Sequence, residues 1–434
     1  MKILQITPHL GLGGTERAVQ NYSLGLKERG YEVAVMSING AGPRYETLKN
    51  AGVKVAAMQT DEKECRAMLN STWDVVHIHR GGAFFQLEKD ILEGIRERQN
   101  CPIIETSVFS RRDYVISPNV ITLHLHLSEW CLYKWARWGV GRTRTQLGAV
   151  LPYAVEPDHF RRVSVQVMRD FRAAVGIPMD ALVIGRVGSP ADSKWDPSII
   201  EVFARLPPQI NGHPVYALFV GAAPSVKAHA QHLDSTMKGR MIFREPSPDD
   251  LYLSTVYSTI DVFLHMAHIG ESFGMVIAES LLCETPVVTL STPLRDNSQV
   301  VLVRHNECGL VANDHRELLA STQRLLTEPE TRSRMGVVGR QSMVSKYSLA
   351  RVSEDLEKIY AVAREHTADP ASLAQRIEAM NILTSRQVTR FFDVGRYGVI
   401  MSPVKSALFK VTHSGNLYRL FHKLKAKRNQ WRRS

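Results

Sequence analysis

The sequence is poor in the features that mark several large protein classes. It has five cysteines in 434 residues, Cys65, Cys101, Cys131, Cys283 and Cys308, odd in number and widely spaced. No two form a C-x-x-C pair, so neither a disulfide framework nor a structural zinc site is indicated, and reduced thiols are expected. No apolar run reaches the roughly 18 residues that cross a bilayer. The opening MKILQITPHL turns polar at Gly11 through Arg17, too early for a secretory leader, and a cytoplasmic protein is expected. Low-complexity stretches and short repeats are also missing. Acidic residues are scarce in one place. From Arg386 to Ser434 there are twelve Lys and Arg against the single acid Asp393, which accounts for the whole formal charge of +11. The body is therefore formally neutral, which argues against a chain-wide nucleic-acid binder, and no recognition module for nucleic acid is evident.

What is present is ordinary globular composition, 44% hydrophobic and 22% charged, in a chain too long for one core. The opening reads as a strand at 2–7, a glycine break at Gly11 to Gly14, and a helix from Thr15 to Arg29 with Gly30 as its stop. Strands are predicted at 32–37, 53–58, 74–79 and 102–106, with helical spacing between them. A helix at 165–175 and a fresh strand at 181–187 restart the pattern. It continues with strands at 215–220, 241–243, 261–265 and 286–290. Strands alternating with helices imply parallel sheets covered on both faces. The fold class is thus α/β with two doubly wound domains, and a hinge between Pro152 and Val165.

The most specific segment runs from Asp261 to Ser280, DVFLHMAHIGESFGMVIAES. It reads as a strand, a loop, and a helix starting near Ser272. Glu271 would sit at the helix mouth and Glu279 about two turns along on a similar face. Free N–H groups there favour phosphate or sugar oxygens, and each carboxylate can accept two hydroxyl hydrogen bonds. The plain alternative is a pair of glutamates that only compensate the dipole and meet solvent. The Gly11–Gly14 loop is neither a P-loop, which needs Lys-Ser/Thr at its end, nor a dehydrogenase fingerprint, which needs glycine where Glu16 stands.

Gly270 to Gly274 (GESFG) with Glu279 resembles the E-x7-E signature of family 4 retaining glycosyltransferases of the GT-B fold. Other pieces agree in order: GLGGTER at 11–17, DVVHIH at 74–79, VLPYAVE at 150–156 with Phe160, IGRVG at 184–188 followed by Lys194, FVG at 219–221, and NECGLV at 306–311. The resemblance covers about residues 1 to 364. It implies two Rossmann-like domains facing a central cleft. These are an acceptor-binding domain at 1–160, a nucleotide-sugar domain at 161–346, a closing helix at 347–365 that returns to the first domain, and a basic helical extension at 366–434.

The resemblance further implies roles. Glu271 would hold donor hexose hydroxyls and Glu279 the ribose, while Ser272, Phe273, Gly274 and Met275 offer backbone N–H groups. Arg186 and Lys194 would neutralise the diphosphate as it leaves, where transition-state charge develops. Gly13 and Gly14 would let the backbone approach the donor phosphate. His79, Arg80, Glu105 and Asn297 are acceptor-side candidates, and Asp296 and Gln299 could also reach a substrate. Three places depart from the family. Val108 or Phe109 stands where a histidine is usual, Tyr153-Ala154 replaces Asn-Gly, and the loop 292–299 lacks glycines. The implied reaction moves a hexose from a nucleotide sugar to a glycan or lipid-linked acceptor with retention, in polysaccharide or glycoconjugate biosynthesis. Neither a cofactor nor a metal is expected, because no D-x-D motif stands out. A nucleotide-sugar epimerase, a glycosyl phosphorylase and a non-catalytic sugar- or membrane-binding scaffold remain open. In the extension, Phe391, Phe392, Tyr397, Phe409, Leu417, Tyr418, Leu420, Phe421 and Trp431 interleave with the basic residues. That pattern fits peripheral contact with an anionic membrane, a docking arm for a partner, or a solvated tail.

Overall fold

The computed structural model describes residues 1–82 and 85–421. It divides into two compact units, one of Met1–Ala154, Leu349–Phe392 and the described residues from Pro403 onward, the other of Val155–Ser348 and Asp393–Ser402.

The first unit is a parallel sheet of β1 (Lys2–Thr7), β2 (Glu32–Ser37), β3 (Lys54–Ala57), β4 (Val75–Arg80), β5 (Ile103–Ser107), β6 (Leu123–His126) and β7 (Gly148–Val150), in the order β3-β2-β1-β4-β5-β6-β7. Helices cover both faces, so the strands are buried on both sides; β4 is buried at every position. The strand order reverses between β1 and β4, which opens a crevice at their carboxyl ends. The Gly11–Gly14 loop follows β1 there, and Gly81 follows β4.

The second unit repeats the scheme with β8 (Leu182–Val187), β9 (Gln209–Ile210), β10 (His213–Val220), β11 (Met241–Arg244), β12 (Val262–His265), β13 (Val287–Leu290) and β14 (Gly309–Ala312). The order is β11-β10-β8-β12-β13-β14, all parallel, with β9 added antiparallel to β10. Its core gathers Ile184, Trp195, Phe219, Leu264 and Leu318. Here the order reverses between β8 and β12, so the residues that end these strands and the loops beyond them share one crevice.

The chain returns to the first unit as the helix Leu349–Glu365, which buries Val352, Leu356, Ile359, Tyr360 and Ala363 along one stripe. It lies so close to the helix Gly14–Glu28 that a Cβ on Gly25 would come within 2.3 Å of Ser353 Oγ. Only glycine allows that approach.

The described residues beyond 365 are largely helical, as expected of the extension. Helices Pro370–Ala379, Ser385–Phe391 and Pro403–Thr412 are built into the first unit. Phe392 stacks on Tyr133 at 4.0 Å and Phe409 meets Trp130 edge-on at 6.0 Å, both on the helix Glu129–Arg137. The intervening segment joins the second unit, where Ile400 N–H donates to Asn313 Oδ1 at 2.8 Å and Asn313 Nδ2 to Gly398 O at 3.1 Å. The physical reason is burial of aromatic rings, which outweighs the solvation that the basic residues favour. Of the sequence-based expectations for this tail, Lys423, Lys425, Lys427, Arg428, Trp431, Arg432 and Arg433 lie outside the described residues.

Candidate functional site

Arg186 is the penultimate residue of β8 and His265 the last of β12, so the switch point brings them side by side. Arg186 is buried, and its guanidinium lies 4.8 Å from the centre of the Trp195 ring. Its Nη2 donates to the Lys194 carbonyl, but Nε and Nη1 have no hydrogen-bond partner among the described residues. Burial lowers its pKa to about 10, the nearby Glu271 charge opposing the shift. It remains a cation at neutral pH with donors unsatisfied.

Glu271 lies in the loop after β12. Its Oε2 accepts from Lys194 Nζ at 2.7 Å, its Oε1 is 3.5 Å from His265 Nε2, and its own N–H donates to Gln299 Oε1 at 3.1 Å. Burial pushes the Glu271 carboxyl up, but the His265 ring and the Lys194 ammonium outweigh it and hold it at about 2. His265 is held down to about 4, chiefly by burial and then by the Arg186 charge, with Glu271 acting against both. Its Nδ1 bonds to Thr289 Oγ1 at 3.0 Å. The site therefore holds an ionised carboxylate, two cations and a neutral imidazole.

The helix after Glu271 begins at Met275, not near Ser272. Gly274 precedes it with φ +105, a left-handed conformation that keeps Ser272 and Phe273 in the loop. Glu271 and Glu279 consequently do not share a helical face. Glu279, in the second turn, accepts from Tyr257 Oη at 2.8 Å. No side chain caps this helix, so its leading N–H groups point toward whatever meets the loop. Gly270 is required as well, because with φ +70 a Cβ would sit 1.6 Å from the Asp296 carbonyl.

The loop after β13 is pinned from inside. Asn297 Oδ1 accepts from Thr292 N at 2.7 Å and from Gln299 Nε2 at 3.0 Å, and Gln299 Nε2 also donates to Thr292 Oγ1 at 2.8 Å. Asn297 and Gln299 are fully buried. This corrects the acceptor-side expectation for Asn297: its side chain is spent on loop shape. Gln299 fixes the Glu271 backbone. Ser272 Oγ donates to Asp296 Oδ2 at 3.2 Å, joining the two loops.

In the first unit Gly13 caps the helix Gly14–Glu28 without a side chain, and Arg17 N–H donates to its carbonyl at 3.0 Å. His79, Arg80 and Glu105 of the same unit are interior. Arg80 donates to Glu88 Oε2 at 2.7 Å and to Asp113 Oδ2 at 2.6 Å, and lies 3.4 Å from Glu105 Oε1. Glu105 is held as a carboxylate below its usual range: burial opposes this, but His124, Arg80 and Arg112 prevail. His79 Nε2 meets Gln5 Oε1 at 2.9 Å, and His77 bonds to Tyr360 Oη at 2.6 Å and Thr106 Oγ1 at 2.8 Å. Arg80 is engaged with Glu88 and Asp113, and Glu105 with His124, in the core instead of facing an acceptor, which corrects that expectation. Three residues of the site carry no local sequence signal for their role. Trp195 is one, and His265 and Tyr257 act across the fold.

This geometry defines a class of protein: paired doubly wound units with a cationic, carboxylate-bearing switch point in the second. Residues 167–342 match the family described as Glycosyl transferases group 1. The D-inositol 3-phosphate glycosyltransferase of Thermomonospora curvata is 30% identical over 177 residues, 38% of this chain and 39% of that protein. The capsular polysaccharide biosynthesis glycosyltransferase CapM of Staphylococcus aureus is 24% identical over 185 residues, 42% of this chain and 46% of that one. These matches span less than half the length of either relative. Among solved structures, HepE of Anabaena in complex with UDP and glucose superposes with a TM-score of 0.65 at 16% identity, covering 83% of this chain and 99% of HepE. The fold is GT-B.

A pH dependence follows from His265. Its folded pKa lies below the ordinary value of 6.5, so the unfolded chain binds more protons as the pH falls from 6.5 toward 4, and stability is lost across that window. His265→Asn is expected to lose about 2 kcal/mol less than the parent between about pH 7 and about pH 5 in urea unfolding. Equal losses in both proteins would show that His265 is not buried neutral.

Proposed function

We propose that the chain transfers a hexose from a nucleoside-diphosphate sugar to a glycan or lipid-linked acceptor with retention of configuration, in polysaccharide or glycoconjugate synthesis. The observation that carries this reading is the buried, under-partnered guanidinium of Arg186 beside the Lys194–Glu271 pair. Two cations and a helix N-terminus suit a diphosphate, and an ionised carboxylate next to them suits sugar hydroxyls. Glycosyltransferases among the similar proteins, one of them solved with UDP and glucose, support the same substrate class.

In this reading Arg186 Nε and Nη1 and Lys194 Nζ take up the diphosphate oxygens as the bond from the sugar C1 to phosphate breaks. We place the leaving group's charge on these side chains rather than on a metal. Glu271 orients the hexose and Glu279 the ribose. The acceptor oxygen bonds to C1 on the face the diphosphate leaves, and its proton passes to a departing phosphate oxygen. That route needs no histidine at Val108. Turnover of labelled nucleotide sugars is expected to fall about a hundredfold or more in Glu271→Gln while the free nucleotide still binds. A parent protein that binds nucleotide but turns over no sugar would instead be a scaffold.

We also propose that the end of the chain rests on the cytoplasmic face of an anionic membrane. Among the described residues no helix is long and apolar enough to cross one. The helix Pro403–Thr412 turns Phe409 inward but leaves Val404, Leu408 and Val411 exposed at i, i+4 and i+7, one stripe with Lys405 and Lys410 on its flanks. Leu417, Leu420 and Phe421 continue the exposed apolar surface. Sedimentation with phosphatidylglycerol vesicles is expected to weaken about tenfold when Leu408→Asp and Val411→Asp are combined. Unchanged sedimentation would contradict this partner.

A further inference from the structure

The first unit carries a second concentration of positive charge, formed where the C-terminal helices meet the body. A groove of about 720 Å³ is lined by Arg112, Arg137, Arg144, Arg386 and Arg390, with Gln375, Thr145 and Thr389 among its polar neighbours and no acidic residue on its wall. Arg137 ends the helix Glu129–Arg137, Arg144 lies in the 3-10 turn Gly141–Thr145, and Arg386 and Arg390 are one turn apart on the helix Ser385–Phe391. These four are exposed and make no ion pair among the described residues. Arg144 Nε and Arg386 Nη1 make only long hydrogen bonds to the carbonyls of Gly139 and Ala371, at 3.3 and 3.5 Å.

Arg112 is different, because it is built in. It is 2% exposed, its guanidinium lies 3.3 Å from the centre of the Trp135 ring, and Trp135 O, Thr143 O and Gln146 Oε1 accept from its Nε and Nη1 at 3.0, 2.8 and 2.6 Å. Its Nη2 has no protein acceptor among the described residues. A rigid guanidinium with one nitrogen left over, ringed by four unpaired ones, costs stability through like-charge repulsion unless an anion is bound. The two acids adjacent in sequence to the lining are engaged elsewhere: Asp113 pairs with Arg80 at 2.6 Å, and Asp369 Oδ1 accepts from the N–H groups of Ala371 and Ser372 at 3.0 and 3.2 Å.

We propose that this groove binds a ligand bearing two or more phosphate groups. Guanidinium forks meet phosphate oxygens two at a time, so five arginines match a diphosphate or a pair of monophosphates better than a single carboxylate. The volume is that of a small-molecule site. The chemistry is common to a soluble phosphorylated metabolite and to a lipid headgroup, and the test separates the two. The site lies on the first unit and does not depend on the donor reading of the second.

The experiment titrates the full-length protein carrying Arg186→Met and Lys194→Met, which together remove both donor-site cations from the measurement, with inorganic pyrophosphate, and repeats it with Arg386→Ala and Arg390→Ala added. Both arginines are exposed, so the fold is retained, which circular dichroism verifies. Pyrophosphate affinity is expected to fall about tenfold or more, with a shallower salt dependence. In parallel, binding to phosphatidylcholine vesicles with and without phosphatidylinositol phosphate is compared. Loss of pyrophosphate binding alone identifies a soluble ligand, and loss of headgroup-dependent vesicle binding as well identifies a lipid. Pyrophosphate and vesicle binding both unchanged by the two substitutions would overturn the proposal.

Discussion

A guanidinium withdrawn from water and left with two nitrogens unsatisfied is costly, and Arg186 is held in that state. Everything around it serves to hold it there. The reversal of strand order puts the end of β8 beside the end of β12, Trp195 stacks against the guanidinium, and the Lys194 carbonyl fixes its direction. Glu271 supplies the compensating charge but binds Lys194 directly, not Arg186. The arrangement keeps the carboxylate ionised and the arginine available, which is the condition an anionic leaving group requires.

The two units treat buried charge in opposite ways. In the first, Arg80 is surrounded by Glu88, Glu105 and Asp113 and is ion-paired with each. In the second, the charges are deliberately incomplete. Gln299 is consumed in loop geometry, and Glu279, in the second turn of its helix, accepts from the Tyr257 hydroxyl.

Much of this was legible in the sequence. Strands such as β1, β2 and β8 are short, mainly apolar, β-prone runs between turn or helical segments, so their limits agree with the pattern within a residue. β6 and β7 escaped it, being short, and β6 alternates histidine with leucine. The start of the helix at Met275 was misplaced because Gly274 takes a left-handed conformation that composition does not reveal. Glu271, Arg186 and Lys194 were found through motif order and do converge, whereas His265 acts across the fold and had no local signature. How the basic segment after 365 packs was not legible for a related reason. Aromatic residues interleaved with lysine look the same whether, like Phe409, they anchor a helix or, like Phe421, they face outward.

The most direct test of the central claim is calorimetric titration of UDP, GDP and ADP into the parent protein and Arg186→Met, together with the melting temperature of each without nucleotide. If the guanidinium is kept for a diphosphate, one nucleotide binds the parent, and the variant binds it about tenfold to a hundredfold more weakly. The variant should also melt no lower than the parent, because a buried and under-partnered charge has been removed. Equal nucleotide affinity in the two proteins, with a lower melting temperature in the variant, would contradict the account by making Arg186 a structural residue.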